Sequence, residues 1–165
     1  EREVLLTNSS LIGPFGPLGP LLAHARGTGA DVTAATSSLQ LRPHLQSFFL
    51  RFAPGVLARP DLTAFFGGIR HHWNKVAIVR RYELGLTDLL RRSGLATAAL
   101  FPAGELAVGT RNPTIAGWRE LLAAGFPFVK QSLLTDPRAG VAAAEVARAV
   151  RELYGTELAE WWEES

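Results

Sequence analysis

The sequence predicts an α/β protein with a mostly parallel sheet and flanking helices. Short apolar segments typical of strands alternate with segments in which apolar residues recur every three or four positions. The chain has 165 residues, 47% of them hydrophobic, which is enough for one folded core. We therefore expect a single domain over residues 1–165, with a C-terminal helical tail over residues 139–165.

Four segments have the composition of strands and set the predicted sheet. They are residues 4–8, 31–36, 44–52 and 95–101. The first is short and apolar between polar turn residues, which predicts a buried parallel strand. Ligands of such sheets gather at the carboxyl ends of strands, so we expect a site near residues 8–15 and 36–39.

Helical periodicity and turn residues predict the remaining elements. Helices are expected over residues 18–24, 55–58, 61–66, 75–94, 112–124, 141–154 and 157–163. The Gly-Pro repeat at residues 13–20 is interpreted as a rigid turn that leads into the first of these helices.

The helix predicted over residues 75–94 carries the most specific local pattern. Its apolar stripe includes Val79, Leu86 and Leu90, and Glu83 lies off that stripe. A carboxylate in this position can act as a general base. The alternative is a surface glutamate that pairs with Arg80 or Thr87 at helical spacing.

Composition excludes several classes of function. The net charge is only +2 and no block of Lys or Arg occurs, which argues against nucleic-acid binding. Cysteine is absent, which excludes disulfides and thiolate metal sites. The adjacent His71 and His72 have no third ligand at zinc spacing. The longest uncharged run, residues 4–25, contains three Gly-Pro pairs and does not predict a transmembrane helix.

Polar residues within the third strand suit sugar recognition. Strand alternation puts His44 and Gln46 on one face beside an aromatic ring, and Ser47 on the other. Rings pack on sugar faces while polar atoms bind hydroxyls, although a solvated edge strand would give the same pattern. Lys130 ends an apolar turn, where it could bind an anion or extend to water from a buried stem.

Four stretches in the same order resemble the rhamnan synthesis protein F family, glycosyltransferases of bacterial cell-wall and O-antigen polysaccharides. They are LLTNSSLIGPFGPL at residues 5–18, HLQSFFL at 44–50, YELGL at 82–86, and NPT at 112–114 leading through WRELL to GFPFVK at 125–130. The resemblance covers nearly the whole chain.

This resemblance implies a Rossmann-like, GT-A-type sheet, of which the chain would be the C-terminal half. It implies a nucleotide-sugar donor, and a polysaccharide or lipid-linked glycan as acceptor, with rhamnose or another deoxysugar transferred. Glu83 would be the catalytic base, and Asn8, Ser9 and Ser10 would face the donor. His44, Gln46 and Lys130 would face the acceptor, and the protein would be cytoplasmic, at the inner face of the cell membrane.

The chain departs from the family at one position of the first motif. Relatives often have Asn-Asp-Ser where this chain has Asn8, Ser9 and Ser10. Mn²⁺ or Mg²⁺ is the cofactor that the resemblance implies, but a hydroxyl is a poorer ligand for these ions than a carboxylate. No residue is therefore predicted as a metal ligand.

Two alternatives to an enzyme follow from the same residues. The chain could be a non-catalytic carbohydrate-binding or scaffold domain that keeps the fold. It could also bind partners through Trp161 and Trp162, docking on a membrane as a peripheral protein or on another subunit. Because the sequence lacks an initiator methionine and opens directly on a strand, we expect a portion of a longer protein.

Overall fold

A computed structural model of the chain describes residues 2–70, 75–106 and 112–161. Its strands are β1 (Val4–Thr7), β2 (Leu11–Ile12), β3 (Val32–Ser38), β4 (His44–Leu45), β5 (Phe49–Phe52), β6 (Thr97–Phe101) and β7 (Val129–Lys130). His71 and His72, for which no third zinc ligand was found, and Trp162 of the possible docking tail lie outside the described residues.

Helices cover both faces of the main sheet. They are α1 (Leu18–Gly27), α2 (Pro60–Gly67), α3 (Lys75–Ile78), α4 (Leu84–Arg92), α5 (Ala103–Leu106), α6 (Pro113–Ala116), α7 (Trp118–Ala123), α8 (Ser132–Thr135) and α9 (Ala143–Tyr154). A π-helical turn, Val79–Glu83, joins α3 to α4, and short 3₁₀ turns follow β5, α8 and α9. This arrangement confirms the predicted α/β class.

The main sheet is mixed. β5 lies between β1 and β3 and is antiparallel to both, whereas β6 pairs with β3 in parallel. β1, β3 and β6 consequently run in one direction, and the segment formed by β4 and β5 runs in the other. The predicted third strand reverses the chain because it follows β3 through a short loop, as in a hairpin.

The first strand differs from its prediction. β1 is antiparallel to its neighbour rather than part of a parallel pair, and it lies at the edge of the sheet. Val4 and Leu5 are 40% and 37% exposed, so β1 is not buried. A run of apolar residues cannot by itself distinguish a central strand from an edge strand, because the neighbours are contributed by distant parts of the chain.

Two apolar clusters hold the helices on the sheet. One face of the sheet packs on α1 and α7 through residues that include Leu21, Phe49 and Leu121. The other face packs on α2 and α4 through residues that include Leu50, Leu62 and Leu90. Each face is therefore covered, as in a layered α/β fold.

A third cluster joins the C-terminal helices to the Gly-Pro turn. β2 pairs with β7 in a small separate sheet, and Ile12 and Phe15 pack against Val146 and Val150 of α9. The predicted helix over residues 141–154 is confirmed, and Gly155 ends it with a φ of 67°. This cluster fixes the position of Lys130 on β7 relative to the loop that follows β1.

Candidate functional site

The candidate site lies where β1 and β3 end, which is the edge predicted from the sequence. Asn8 follows β1, and residues 39–43 follow β3. Because β4 runs in the opposite direction, its first residue, His44, lies at the same edge. The sheet thus brings Asn8 of the first motif and His44 of the second motif to the same edge, although more than thirty residues of sequence separate them.

Glu83 reaches this edge from the π-helical turn. The side chain is only 16% exposed, so the solvated surface position considered from the sequence is wrong. A π turn accommodates an extra residue, which changes the direction of side chains relative to a regular helix, and such turns are frequent at functional sites. Thr87 fixes the helix here, since its hydroxyl donates to the Glu83 carbonyl and accepts from the Leu45 amide.

Both carboxylate oxygens of Glu83 have partners from the segment between β4 and β5. Oε1 accepts hydrogen bonds from the Ser47 hydroxyl at 2.9 Å and the Ser47 amide at 3.3 Å. Oε2 lies 3.5 Å from Nε2 of His44, which is almost completely buried. Burial alone would raise the pKa of Glu83, but the bonds from His44 and Ser47 and the charge of Lys130 outweigh it and lower the pKa.

The hydrogen bonds of His44 show which protonation state fits the site. Nδ1 lies 2.8 Å from the carbonyl oxygen of Arg42, which can only accept, so Nδ1 carries a proton. Attraction between Nε2 and the Glu83 carboxylate then requires a second proton, on Nε2. Burial opposes this charge, but the contacts with Glu83 and the Arg42 carbonyl prevail and raise the pKa of His44.

The side chains of the third predicted strand do not alternate between two faces as predicted, because residues 46–48 form a turn. This turn separates β4 from β5, and alternation is therefore lost between them. Ser47, predicted on the face opposite His44, reaches the same carboxylate as His44. Sequence alternation could not reveal this role of Ser47, because the pattern looks like that of an unbroken strand.

Gln46 lies beside this group but is turned toward a different set of partners. Its side-chain oxygen accepts from the Thr36 hydroxyl at 2.7 Å, and its amide nitrogen donates to Asn112 at 3.3 Å. Asn112 also caps α6, where its side chain accepts from Thr114. The Asn-Pro-Thr motif predicted that helix start, but no feature of the sequence indicated that Asn112 reaches Gln46.

Lys130 adjoins the site from β7. Its ammonium lies 4.8 Å from the centre of the Phe48 ring, next in sequence to Ser47. β7 pairs with β2, and the amide of Gln131 donates to the Ser10 carbonyl at 2.9 Å. Lys130 therefore links the candidate acceptor residues to the loop that the resemblance assigns to the donor.

Asn8, Ser9 and Ser10 form a local turn with little capacity for a divalent cation. The side-chain oxygen of Asn8 accepts from both the amide and the hydroxyl of Ser10, at 3.0 and 2.6 Å. The three side chains contribute no carboxylate. Among the described residues no group of three His, Cys, Asp or Glu side chains could hold a metal ion, so these residues do not fit the implied Mn²⁺ or Mg²⁺.

A cleft of about 260 Å³ lies next to this turn. Thr7 and Asn8 line one side, and the Gly-Pro turn and Leu18 line another. Phe49 and Phe128 form apolar walls. The cleft is thus a mostly apolar space adjoining the polar turn of Asn8, Ser9 and Ser10.

Comparison with known proteins finds a distant similarity. The chain is 26% identical to Virulence protein VirA of Vibrio anguillarum, over 183 aligned positions that cover 93% of the chain, and the same protein from strain ATCC 68554 / 775 matches equally. The alignment spans 58% of the length of these curated relatives. No family model matches the chain, and no solved structure matches it.

Proposed function

We propose that the chain is the catalytic half of a GT-A-type glycosyltransferase that acts in bacterial surface polysaccharide (rhamnan or O-antigen) biosynthesis. The observation that carries this proposal is the half-buried carboxylate of Glu83, held by Ser47 and His44 at the sheet edge where the donor loop begins. The motif resemblance supplies the reaction class. Donor and acceptor would be a nucleotide-activated deoxysugar and a growing or lipid-linked glycan.

In the proposed reaction Glu83 takes the proton from an acceptor hydroxyl. The acceptor oxygen forms the new bond to the anomeric carbon, and the bond to the nucleotide diphosphate breaks with its electron pair on the leaving oxygen. A lowered pKa keeps Glu83 ionised near neutral pH, as a base requires. We assign Oε2 to the acceptor, since its nearest partner, Nε2 of His44, is 3.5 Å away whereas Oε1 accepts two hydrogen bonds.

Lys130 would lie on the acceptor side of that carboxylate, and the loop after β1 would lie on the donor side. The ammonium of Lys130 supplies positive charge near the site, and Asn8, Ser9 and Ser10 offer neutral hydrogen-bonding groups. No step of the proposal passes through a metal ion. We place the protein on the cytoplasmic side, at the inner face of the cell membrane, where nucleotide sugars are available. Within the described residues, no helix combines the length and apolar character needed to cross a bilayer.

A non-catalytic carbohydrate-binding or scaffold domain of the same fold is the second candidate. One observation favours it: each oxygen of Glu83 already has a protein partner, as in a buried carboxylate that only holds a turn in place. In that case the Glu83 contacts stabilise residues 46–48, and the sugar binds without reaction.

The deciding experiment is transfer by the full-length protein from a panel of nucleotide-activated deoxysugars, with and without Mn²⁺ or Mg²⁺. Substitution Glu83→Gln keeps the size of the side chain and removes the base, so we expect kcat to fall by about 100-fold or more with little change in donor affinity. Glu120→Gln on the exposed face of α7 is the matched control. Undiminished transfer by Glu83→Gln would remove the base assignment, and failure to bind any nucleotide sugar would favour the scaffold.

A further inference from the structure

The loop between β3 and β4 presents two leucines to solvent beside the candidate site. Leu39 is 41% exposed and Leu41 is 60% exposed. Leu41 also has a φ of 65°, in the left-handed region that a bulky side chain seldom adopts. An outward-facing leucine in an unfavourable backbone conformation suggests that the loop has a function beyond joining two strands.

The base of this loop is fixed by hydrogen bonds. The Gln40 amide donates to the Ser38 hydroxyl at 3.1 Å, and the Arg42 amide donates to the Gln40 carbonyl at 2.8 Å. The Gln40 side chain accepts from Asn112, and the Arg42 carbonyl accepts from His44. These hydrogen bonds hold the turn in one conformation, in which the two leucines face outward.

The same loop is joined through Arg42 and Asp88 to two arginines of α4. The guanidinium of Arg42 makes a bidentate ion pair with the carboxylate of Asp88 on α4, with nitrogen–oxygen distances of 2.9 and 2.5 Å. Arg91 lies 3.6 Å from the same carboxylate with its side chain 77% exposed, and the charge of Arg92 also acts on Asp88. Three cations thus gather around one carboxylate, and this group retains positive charge next to the leucines.

We propose that this surface, formed by Leu39, Leu41, Arg42, Arg91 and Arg92, docks on an anionic phospholipid bilayer. Leucine side chains enter the boundary between headgroups and acyl chains, and guanidinium groups bind lipid phosphates. Anionic lipid matches the net positive charge of the arginine group. Two leucines offer far less apolar area than a stable protein interface requires, but with the arginines they suit weak, reversible membrane contact.

This docking would place the Glu83 site at the membrane surface. The Arg42 carbonyl is hydrogen-bonded to His44, so the proposed acceptor side of the site directly adjoins the docking surface. If the protein is the proposed glycosyltransferase, a lipid-linked acceptor would then reach the site from the membrane. That consequence rests on the transferase proposal, whereas the docking surface itself does not.

The test is co-sedimentation of the full-length protein with vesicles, without donor or acceptor. Vesicles of phosphatidylcholine with phosphatidylglycerol are compared with vesicles of phosphatidylcholine alone. We expect binding to the anionic vesicles, a loss of about tenfold or more in partitioning for Leu39→Ser/Leu41→Ser, and a similar loss for Arg91→Gln/Arg92→Gln. Leu153→Ser and Arg138→Gln are matched controls, because both residues are exposed elsewhere and should leave binding unchanged.

Three results would overturn the proposal. They are absence of binding by the unsubstituted protein, equal loss in the control variants, and unchanged binding after the double leucine substitution. Gel filtration of the same variants adds a fourth: a dimer that dissociates on Leu39→Ser/Leu41→Ser would show that a second copy covers this surface. Since no sugar is present, a failure here leaves the transferase proposal standing.

Discussion

At the scale of single residues, the contact between Glu83 and His44 combines a structural and a chemical role. The pKa of His44 is raised and that of Glu83 is lowered, because each residue favours the charged form of the other. Such a pair stabilises the turn at residues 46–48 and also determines how readily Glu83 can accept a proton.

The stability that this pair contributes should depend on pH in a defined window. Because the folded pKa of His44 is raised, its contribution is complete below about pH 6.5 and is lost as pH rises through the folded pKa. Because the folded pKa of Glu83 is lowered, its contribution is complete above about pH 4.3 and is lost as pH falls through the folded pKa.

We expect His44→Gln to cost about 1 kcal/mol of unfolding free energy between pH 4.5 and 6.5, and less at pH 9. Urea unfolding of both proteins across this range measures the difference. His24→Gln on the exposed face of α1 is the control and should leave the free energy of unfolding nearly unchanged at every pH. A cost for His44→Gln that does not vary with pH would show that the histidine is neutral in the folded protein.

At the scale of elements, the Gly-Pro turn depends on one close approach of backbone. Gly13 has a φ of 126°, and a Cβ at this position would lie 2.5 Å from the Pro127 carbonyl oxygen. That carbonyl also accepts from the amide of Phe15 at 2.9 Å. The turn therefore packs directly against Pro127, in the segment that leads to β7 and Lys130.

We expect Gly13→Ala to destabilise the protein by about 2 kcal/mol or more, because both the backbone conformation and the contact with Pro127 become strained. Gly19→Ala is the matched control: Gly19 lies in α1, a Cβ there meets nothing within 4 Å, and the change should be neutral or stabilising by up to about 1 kcal/mol. Thermal unfolding of the two variants distinguishes them. Equal stability of the Gly13→Ala and Gly19→Ala variants would contradict the close approach of Gly13 to Pro127.

At the scale of the whole molecule, the main sheet ends in an exposed strand. β1 pairs with β5 alone among the described residues, and its Val4 and Leu5 are more than one-third exposed. An unprotected edge of this kind is a template for another strand.

We expect the isolated 165-residue chain to associate at high concentration through this edge, and Leu5→Lys to weaken that association. Sedimentation velocity over a range of concentrations measures the effect. Leu153→Lys on α9, which is similarly exposed but not on a strand, should not change the association. An association equally sensitive to both substitutions would place the contact elsewhere.

Local patterns in the sequence were sufficient to determine most elements and the class of the fold. Helical spacing and start residues predicted α1, α4, α7 and α9, because these features depend on neighbours within a few positions. The edge of the sheet that holds the site was predicted in the same way, from where apolar segments give way to polar residues. Glu83, His44 and Lys130 were named as site residues from sequence, and the structure brings them to one place.

Only the tertiary structure decided strand direction, burial and the partners of each site residue. β1 is an edge strand because β5 pairs with it and nothing described pairs beyond it, which depends on residues more than forty positions away. Ser47 joins His44 at Glu83 because a turn interrupts the strand and a π turn redirects the helix, and neither leaves a trace in residue periodicity. These are non-local outcomes, set by how distant segments pack against one another.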